Sequence, residues 1–236
     1  AEWDAVVDDL RTVKDPDRLA QSEVIGLVNE AAGGDGVVVC AAGSMPGDLL
    51  KLWRPEDPKA YHLEYGYSCM GYEIAGGMGI KMAAPDRQVF VMIGDGSYLL
   101  MNSEIVTAVQ EGINVTVVLV DNHGFQSIHG LQRAVGSPSF GNELRFRENR
   151  TGRLSGGYVP VDYAESADAL RAALQRAKTS ERITVIVVPV DPERRVPSFE
   201  GWWDVPVAEV SAQESVRKAR RAYEEARQRE RLYFSF

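Results

Sequence analysis

An aspartate, Asp95, lies between two glycines at the end of an apolar run, in the stretch VFVMIGDGSYLLMN that spans residues 89–102. An acid and an amide, Asp121 and Asn122, end the next apolar run, VTVVLVDN. Carboxylate and amide oxygens are the hard ligands that Mg²⁺ and Ca²⁺ take, whereas zinc prefers thiolate and imidazole. The two stretches therefore predict an oxygen-lined metal site, provided that the fold brings Asp95 and Asn122 together.

Short runs rich in valine and isoleucine alternate with helix-like stretches along the chain. This alternation is typical of a parallel sheet with helices on both faces, because the strands of such a sheet are buried on both sides. We therefore predict an α/β fold, a three-layer domain with a mostly parallel central sheet. The apolar runs lie at residues 36–43, 89–96, 115–122 and 183–191.

The segment between the second and third runs, SYLLMNSEIVTAVQEG, predicts one helix that Gly112 would end. Its predicted buried stripe, at intervals of three and four, comprises Leu99, Asn102, Val106, Val109 and Ile113. A strand, a helix and a strand joined by short links predict two parallel strands that are often neighbours. Because neighbouring strands lie about 5 Å apart, Asp95 and Asn122 could then share one ion.

The glycines on either side of Asp95 indicate a close backbone approach to a ligand. Gly94 and Gly96 allow a tight turn, and a helix that begins near Ser97 would direct free N–H groups and its positive end at a phosphate. A Gly-Asp-Gly tripeptide alone is more often an ordinary turn. Its place between a strand and a helix makes the interpretation as an anion site more specific.

The whole stretch GDGSYLLMNSEIVTAVQEGINVTVVLVDN resembles the thiamine-diphosphate motif of decarboxylases, acetolactate synthases and their relatives. The resemblance implies that Asp95, Asn122 and the main-chain carbonyl of Gly124 hold the Mg²⁺ that bridges the cofactor's diphosphate. It also places Phe125 among the cofactor-binding residues. Many members of this family carry asparagine where this chain has Asp121, a departure that leaves the implied ligand set intact.

A second segment, EYGYSCMGYEIAGGMGIKMA at 64–83, is similar to the family's stretch that lines the cofactor rings. The resemblance implies that Met70 wedges beneath the cofactor and that the carbonyl of Ser68 accepts a hydrogen bond from its amino group. A lone methionine is more commonly an ordinary core residue. A dinucleotide site is another interpretation of these glycines, but AGGMG does not fit the G-x-G-x-x-G pattern.

A third segment, CAAGSMPGDLLKLW at 40–53, again places glycine and serine between a strand and a helix. Backbone amides at such a junction can bind phosphate. Gly43, Ser44 and Met45 are therefore predicted to contact the cofactor.

The sequences of several segments, among them DNHGFQSIHGLQ and GWWDVPVAEVS, most closely resemble one branch of the family. That branch opens trihydroxycyclohexane-1,2-dione, a polyhydroxylated cyclic dione, to 5-deoxyglucuronate in inositol catabolism. The resemblance implies hydrolysis of a C–C bond by a homodimer or homotetramer. A carboligase of the acetolactate synthase type and a non-catalytic cofactor-binding module remain as alternatives.

Enzymes of this branch have three domains and activate the cofactor with a glutamate from the pyrimidine-binding domain of a partner chain. Glu64 and Glu73 do not match the family's glutamate segment, so the chain is interpreted as the C-terminal, diphosphate-binding third of a longer enzyme, inert alone. Residues 1–200 are predicted to bind the cofactor and Mg²⁺. Residues 201–236, with Trp202 and Trp203 as an interface anchor or core plug, are predicted to pack on that domain or on a partner subunit.

Three polar residues are candidates for contact with substrate: His62 near a strand end, and Gln126 and His129 in the loop that follows Asn122. General acid or base chemistry would suit the two histidines. The more common role of a loop histidine is that of a solvated surface residue. The polar segment at 136–157 is predicted to be a long surface loop near a ligand or a subunit contact.

The overall charge argues against two classes of partner. The chain has 236 residues and a formal net charge of −8, with 26 lysines and arginines against 34 acids. Nucleic acid and anionic membrane surfaces are therefore not expected as partners. The sequence shows no apolar run long enough to span a membrane and no signal peptide, which predicts a cytoplasmic protein.

Overall fold

The computed structural model describes residues 2–144, 159–197 and 205–230. Within them, six parallel strands form one sheet in the order β2-β1-β3-β4-β6-β5. The predicted α/β fold is confirmed, because each of the four apolar runs contains one of the longer strands. The strands are β1 (Val37–Cys40), β2 (Tyr61–Leu63), β3 (Val89–Gly94), β4 (Thr116–Asp121), β5 (Val161–Tyr163) and β6 (Thr184–Pro189).

Helices connect the strands. α8 shows how the sequence sets such an element, since the side chain of Ser166 accepts a hydrogen bond from the N–H of Ala169 and caps its first turn. The helices in the described residues are α1 (Glu2–Arg11), α2 (Gln21–Ala32), α3 (Met45–Leu52), α4 (Tyr72–Ala83), α5 (Asp95–Met101), α6 (Glu104–Gln110), α7 (Gln126–Ala134), α8 (Ala167–Lys178) and α9 (Glu214–Arg227). None of them combines the length and the apolar character that a bilayer crossing needs.

The sheet is buried on both faces, as its strand composition predicts. Along β3, Phe90 and Met92 join a core cluster with residues of α1, α2, α3 and α8, whereas Val91 and Ile93 join a second cluster with α4, α5 and α6. This alternation follows from the two-residue period of a strand. The result is the predicted three-layer arrangement, with the sheet between two layers of helices.

The helix predicted between β3 and β4 is divided into α5 and α6. Asn102 and Ser103 interrupt it, and the N–H of Ile105 donates to the carbonyl of Asn102 at 3.1 Å, three residues back. Asparagine and serine favour the helix interior less than the residues around them, because their side chains compete for backbone groups. Gly112 follows α6 with a φ of +63°, so its predicted role at the helix end is confirmed.

The break also changes which residues are buried, so the predicted stripe is wrong in part. Leu99 and Val106 are 39% and 46% exposed, whereas Tyr98, Ile105 and Ala108 are buried. The tighter turn at the break rotates the second helix relative to the pattern of an uninterrupted one. Only the last two residues of the predicted stripe, Val109 and Ile113, pack against the core.

The chain divides into two compact units. The first comprises residues 1–125 and 144–196 and contains the whole sheet. The second comprises residues 126–143 and 197–236 and includes α7 and α9. Within it, the hydroxyl of Ser215 at the start of α9 donates to the carbonyl of Gly136 just after α7, and a small apolar cluster adjoins them. Trp202, Trp203 and residues 145–157 of the predicted surface loop lie outside the described residues.

Candidate cofactor and metal site

The site is built where two central strands of the sheet end. β3 and β4 are parallel and adjacent, with Gly94 opposite Val120 in the register. Asp95 therefore follows one strand directly beside the point where Asp121 and Asn122 follow the other. Both Asp95 and Asn122 are almost fully buried, with 1% and 5% of their surface exposed. The ends of two neighbouring strands thus bring Asp95 and Asn122 close together, as the sequence pattern predicts.

One oxygen of the Asp95 carboxylate is bound by the backbone and the other is not. Oδ1 accepts the N–H of Gly96 at 2.7 Å and that of Gly124 at 3.2 Å. Oδ2 is buried and has no hydrogen-bond partner in the described structure. Burial, followed by the nearby carboxylate of Asp121, raises the pKa of Asp95 to about 7. A buried acid oxygen without a partner and with a like charge beside it is what a cation would stabilise.

The amide of Asn122 completes a cluster of oxygens. One terminal atom of its side-chain amide lies 3.3 Å from Oδ1 of Asp95 and 2.9 Å from the carbonyl oxygen of Gly124; as the nitrogen it donates to both, and as the oxygen it would be a third metal ligand. Neighbouring ligands of an octahedral Mg²⁺ are separated by about 3 Å, because each lies about 2.1 Å from the ion. Oxygens at this spacing repel one another unless a cation lies among them or the amide turns round and donates its own N–H groups. The donor set therefore fits Mg²⁺, and a simple amide rotation satisfies it without metal.

Asp121 and His123 lie beside this cluster. Asp95, Asp121 and His123 each offer a ligand atom, and these atoms lie within 4.8 Å of one another. Nδ1 of His123 is 3.4 Å from Oδ1 of Asp121, and His123 itself adopts a left-handed φ of +62°. The extra carboxylate of Asp121, in place of the family's frequent asparagine, therefore adds negative charge next to the predicted ligands.

A topological switch point adjoins the cluster. The chain leaves β1 outward to β2 and returns to β3 on the other side of β1, so the loops after β1 and β3 diverge at the same edge of the sheet. Ligands of open α/β sheets bind in the crevice that such loops enclose. The predicted residues Gly43, Ser44 and Met45 follow β1, while Gly96 and Ser97 follow β3. The structure thus places the two predicted diphosphate segments on either side of one crevice.

The loop after β1 is held by part-buried hydrogen bonds from Gln21, which the sequence did not reveal. Gly43 adopts a φ of +88°, which favours glycine, and Ser44 precedes the first turn of α3. The amide of Gln21 donates to the hydroxyl of Ser44 at 3.3 Å and to the carboxylate of Asp48 at 2.7 Å. Burial raises the pKa of Asp48 to about 6. Gln21 lies over twenty residues upstream, so no local motif indicated it.

The segment predicted to line the cofactor rings forms a turn before α4. The carboxylate of Glu64 accepts the N–H of Tyr67 at 3.2 Å and that of Cys69 at 2.8 Å, which fixes the turn around Ser68. Ser68 is exposed and adopts a φ of +52°, and Met70 is half-buried at the end of the turn. Met70 is therefore not a fully buried core residue, which leaves its side chain available to a ligand.

The ring of Phe125 leaves no room for a side chain at Gly96. A Cβ atom at this position would lie 2.7 Å from the ring of Phe125, which is closer than real Cβ contacts. The ring of Phe125, another predicted cofactor residue, thus covers the first turn of α5. Ser97 is buried in the same turn.

A buried glutamate, Glu73 in the first turn of α4, connects these segments. Its carboxylate accepts hydrogen bonds from the N–H of Ala42 after β1, the N–H of Gly71 beside Met70, and the hydroxyl of Ser97 after Asp95. Burial raises the pKa of Glu73 above its usual value. Its sequence setting gave no sign of this role, because an acid in the first helical turn is common wherever helices begin.

The three candidate substrate residues belong to two different compact units, and two of them lie in a helix and not in a loop as predicted. His62, the central residue of β2, has its Nε2 2.7 Å from the hydroxyl of Tyr72, with the two rings stacked. Gln126 and His129 belong to the second compact unit, in α7. His129 is buried, and its Nδ1 lies 3.6 Å from a carboxylate oxygen of Glu143. Tyr72 was not predicted, and only the structure pairs it with His62.

Comparison with known proteins places the chain in a family. Residues 41–188, more than half of the 236, match the family described as thiamine pyrophosphate enzyme, C-terminal TPP binding domain. The chain belongs to this family. The matched span begins directly after β1 and contains β2 to β6 except for the last residue of β6, so it includes all of the predicted cofactor residues.

Curated relatives of this family member carry one activity in their names. The chain is 44% identical over 215 residues to 3D-(3,5/4)-trihydroxycyclohexane-1,2-dione hydrolase 1 of Bacillus cereus, covering 86% of this chain and 33% of the relative. It is also 44% identical over 220 residues to the hydrolase of the same name from Geobacillus thermodenitrificans, covering 88% and 34%. The chain therefore spans about one third of the length of these relatives.

Solved structures of the family share the fold. A thiamine diphosphate-dependent 4-hydroxybenzoylformate decarboxylase from Rhodococcus jostii matches with a TM-score of 0.69 at 21% identity, over 76% of this chain and 34% of that one. A benzoylformate decarboxylase from Polynucleobacter necessarius matches with a TM-score of 0.66, also at 21% identity, over 77% and 35%. At this identity the likeness establishes the fold alone.

Proposed function

We propose that this chain is the diphosphate- and Mg²⁺-binding part of a thiamine-diphosphate-dependent hydrolase that opens trihydroxycyclohexane-1,2-dione by cleaving a C–C bond. The observation that carries the proposal is the convergence of the Asp95 carboxylate, the Asn122 side-chain amide and the Gly124 carbonyl at the ends of two neighbouring strands, in a chain that belongs to the family. The names of relatives at 44% identity support the choice of substrate. The product would be 5-deoxyglucuronate, formed in the degradation of inositol.

Each group of residues has a part in this proposal. Asp95, Asn122 and the carbonyl of Gly124 would hold Mg²⁺, and the amides after Gly43 and Gly94 would bind the diphosphate. Met70 would support the rings from below, and the carbonyl of Ser68 would accept the hydrogen bond of the amino group. When bound, thiamine diphosphate supplies a nucleophilic carbon and an electron sink.

Proton transfer to and from the substrate would fall to polar side chains of the chain. His62 is the leading candidate in the first unit, because its 2.7 Å contact with the hydroxyl of Tyr72 fixes the ring and gives a path for a proton. Gln126 and His129 remain proposed substrate contacts. The proposal further includes a pyrimidine-binding domain of a partner chain that supplies the activating glutamate, assembly as a homodimer or homotetramer, and a cytoplasmic location.

The cofactor part of the proposal is tested on the full native polypeptide that contains this chain. Calorimetry should detect binding of thiamine diphosphate that requires Mg²⁺, and Asp95→Ala should abolish it because the diphosphate loses its bridging cation. Asp86→Ala is the matched control, since Asp86 is an exposed aspartate outside the site. Unchanged affinity in Asp95→Ala would refute the metal site.

The substrate part is tested by product analysis with the same protein. Trihydroxycyclohexane-1,2-dione should be converted to 5-deoxyglucuronate, with uptake of one water molecule, and pyruvate should give no acetolactate. Formation of acetolactate without ring opening would assign the chain to a carboligase instead. Cofactor binding with no turnover of either compound would support a non-catalytic module.

A further inference from the structure

Only 1% of the surface of Glu73 is exposed, although its carboxylate has no cationic partner among the described residues. Its contacts are all hydrogen-bond donors: the N–H of Ala42 at 3.3 Å, the N–H of Gly71 at 3.0 Å and the hydroxyl of Ser97 at 2.8 Å and 2.9 Å. Burying an acid in this way is costly, and a well-packed apolar residue would serve stability better. The position therefore calls for an explanation beyond packing.

The three donors belong to segments that are distant along the chain but meet at the switch point. Ala42 precedes Gly43 after β1, Gly71 follows Met70 before α4, and Ser97 lies in the turn that begins with Asp95. Ser97 also links two of these segments directly. Its oxygen accepts the N–H of Gly71 at 2.9 Å, while its hydroxyl donates to Glu73. One carboxylate thus connects the segment after β1, the segment that carries Met70 and the turn after β3.

We propose that Glu73 is a positioning residue that fixes the three cofactor-lining segments relative to one another before the cofactor binds, and so sets cofactor affinity. This inference rests on the proposed function, because the segments matter only if they line a cofactor site. A carboxylate suits the task because it offers only acceptors to three donors. A glutamine would direct its NH₂ group at the N–H of Ala42 or of Gly71 and lose one of these bonds.

The alternative is that Glu73 only stabilises the fold. The two roles differ in a measurable way, since a pocket that is not held in place must be ordered when the ligand binds. A positioning role predicts weaker binding with a more unfavourable binding entropy. A purely structural role predicts a lower unfolding temperature and unchanged affinity of the folded protein.

The experiment compares Glu73→Gln with Glu23→Gln in the full native polypeptide. Glu23 is the control, because it is equally buried and also accepts two backbone N–H groups, from Lys14 and Ala20, and it differs from Glu73 in having an ion pair with Arg194. Thiamine diphosphate is titrated by calorimetry at saturating Mg²⁺, and unfolding is followed without cofactor. Losing one charge-assisted hydrogen bond should weaken cofactor binding about tenfold or more in Glu73→Gln. Glu23→Gln should lower only the unfolding temperature.

Two further variants make the result decisive. Glu73→Asp keeps the charge but is one methylene shorter, so it cannot reach all three donors and should also bind the cofactor more weakly. Ser97→Ala should weaken binding, and the double variant with Glu73→Gln should lose less than the sum of both, since the two side chains act together. Should Glu73→Gln fail to fold, Glu73→Asp decides between the positioning and the purely structural role by the same comparison of cofactor affinity and unfolding temperature.

The outcomes separate this inference from the proposed function. No binding of thiamine diphosphate by the unaltered protein would remove the proposed function and this inference with it. Binding by the unaltered protein, with affinities of the Glu73 variants within about twofold of it, would overturn the inference alone, since that is less than one hydrogen bond. Equal losses of affinity in the Glu73 and Glu23 variants would also overturn it.

Discussion

Replacing Asp95 with asparagine should have opposite effects on cofactor binding and on stability. The asparagine side chain can still accept the N–H groups of Gly96 and Gly124, which are 2.7 Å and 3.2 Å from Oδ1 in the native protein. It removes, however, a buried charge that has one unpartnered oxygen and a neighbouring carboxylate. We predict that Asp95→Asn loses Mg²⁺-dependent binding of thiamine diphosphate and that its metal-free form is more stable than the native protein at pH 8.

The size and pH dependence of the stabilisation follow from the pKa of Asp95, which is raised from 3.8 to about 7 in the folded protein. Between these values the folded state holds a proton that the unfolded state has released, so the native free energy of unfolding falls as the pH rises. Above pH 7 the full penalty applies, and a shift of about three pKa units sets an upper bound of about 4 kcal/mol. Below about pH 4 the penalty disappears.

Denaturant unfolding in EDTA measures this effect. The free energy of unfolding of Asp95→Asn should exceed that of the native protein at pH 8, and the two should converge as the pH is lowered towards 4. Asp86→Asn, at an exposed position, should show no such difference. Equal stability of Asp95→Asn and the native protein at pH 8 would show that the carboxylate is not strained without metal, and would refute the reasoning.

Three smaller changes give further predictions. Gly96→Ala should weaken binding of thiamine diphosphate in calorimetry, because its Cβ would lie 2.7 Å from the ring of Phe125 and displace it; retained affinity would show that the ring can move freely. Tyr72→Phe should lower kcat of the proposed ring-opening reaction and leave cofactor affinity unchanged, since it removes the 2.7 Å contact with His62; a normal kcat would exclude this pair from proton transfer. Ser166→Ala should cost about 1 kcal/mol in urea unfolding, because α8 loses its N-cap, and cofactor binding should not change.

The sequence predicted the centre of the sheet and the proximity of Asp95 and Asn122 because both depend on local patterns. Buried parallel strands are continuous apolar runs, and the residues that follow them are forced to the same edge of the sheet. Asp95 and Asn122 therefore converge as expected. The same local rules failed within the segment between them, because two weak helix formers at 102–103 broke a helix that the apolar spacing alone described as continuous.

The supporting residues could not be predicted, since each acts through a long-range contact. Glu73 contacts donors that lie 31 and 24 residues away, and Gln21 contacts a serine 23 residues away. No periodicity or short motif encodes such distances. His62 was selected for its type, but its pairing with Tyr72 depends on how β2 lies against the start of α4, which only the folded chain determines.

The order of the strands has a consequence for motion at the site. β3 and β4 occupy the two middle positions of the six-stranded sheet, whereas β2 is a three-residue strand at one rim. Backbone amides of central strands exchange with solvent only through the largest openings of a protein, and those of rim strands exchange through small local ones. The amides of the central strands that lead to Asp95 and Asn122 should thus exchange slowly, while those at 61–63 should exchange much faster. The predicted anchor for the cofactor's tail would then follow the strands that open least, and His62 would lie on the strand that opens most readily.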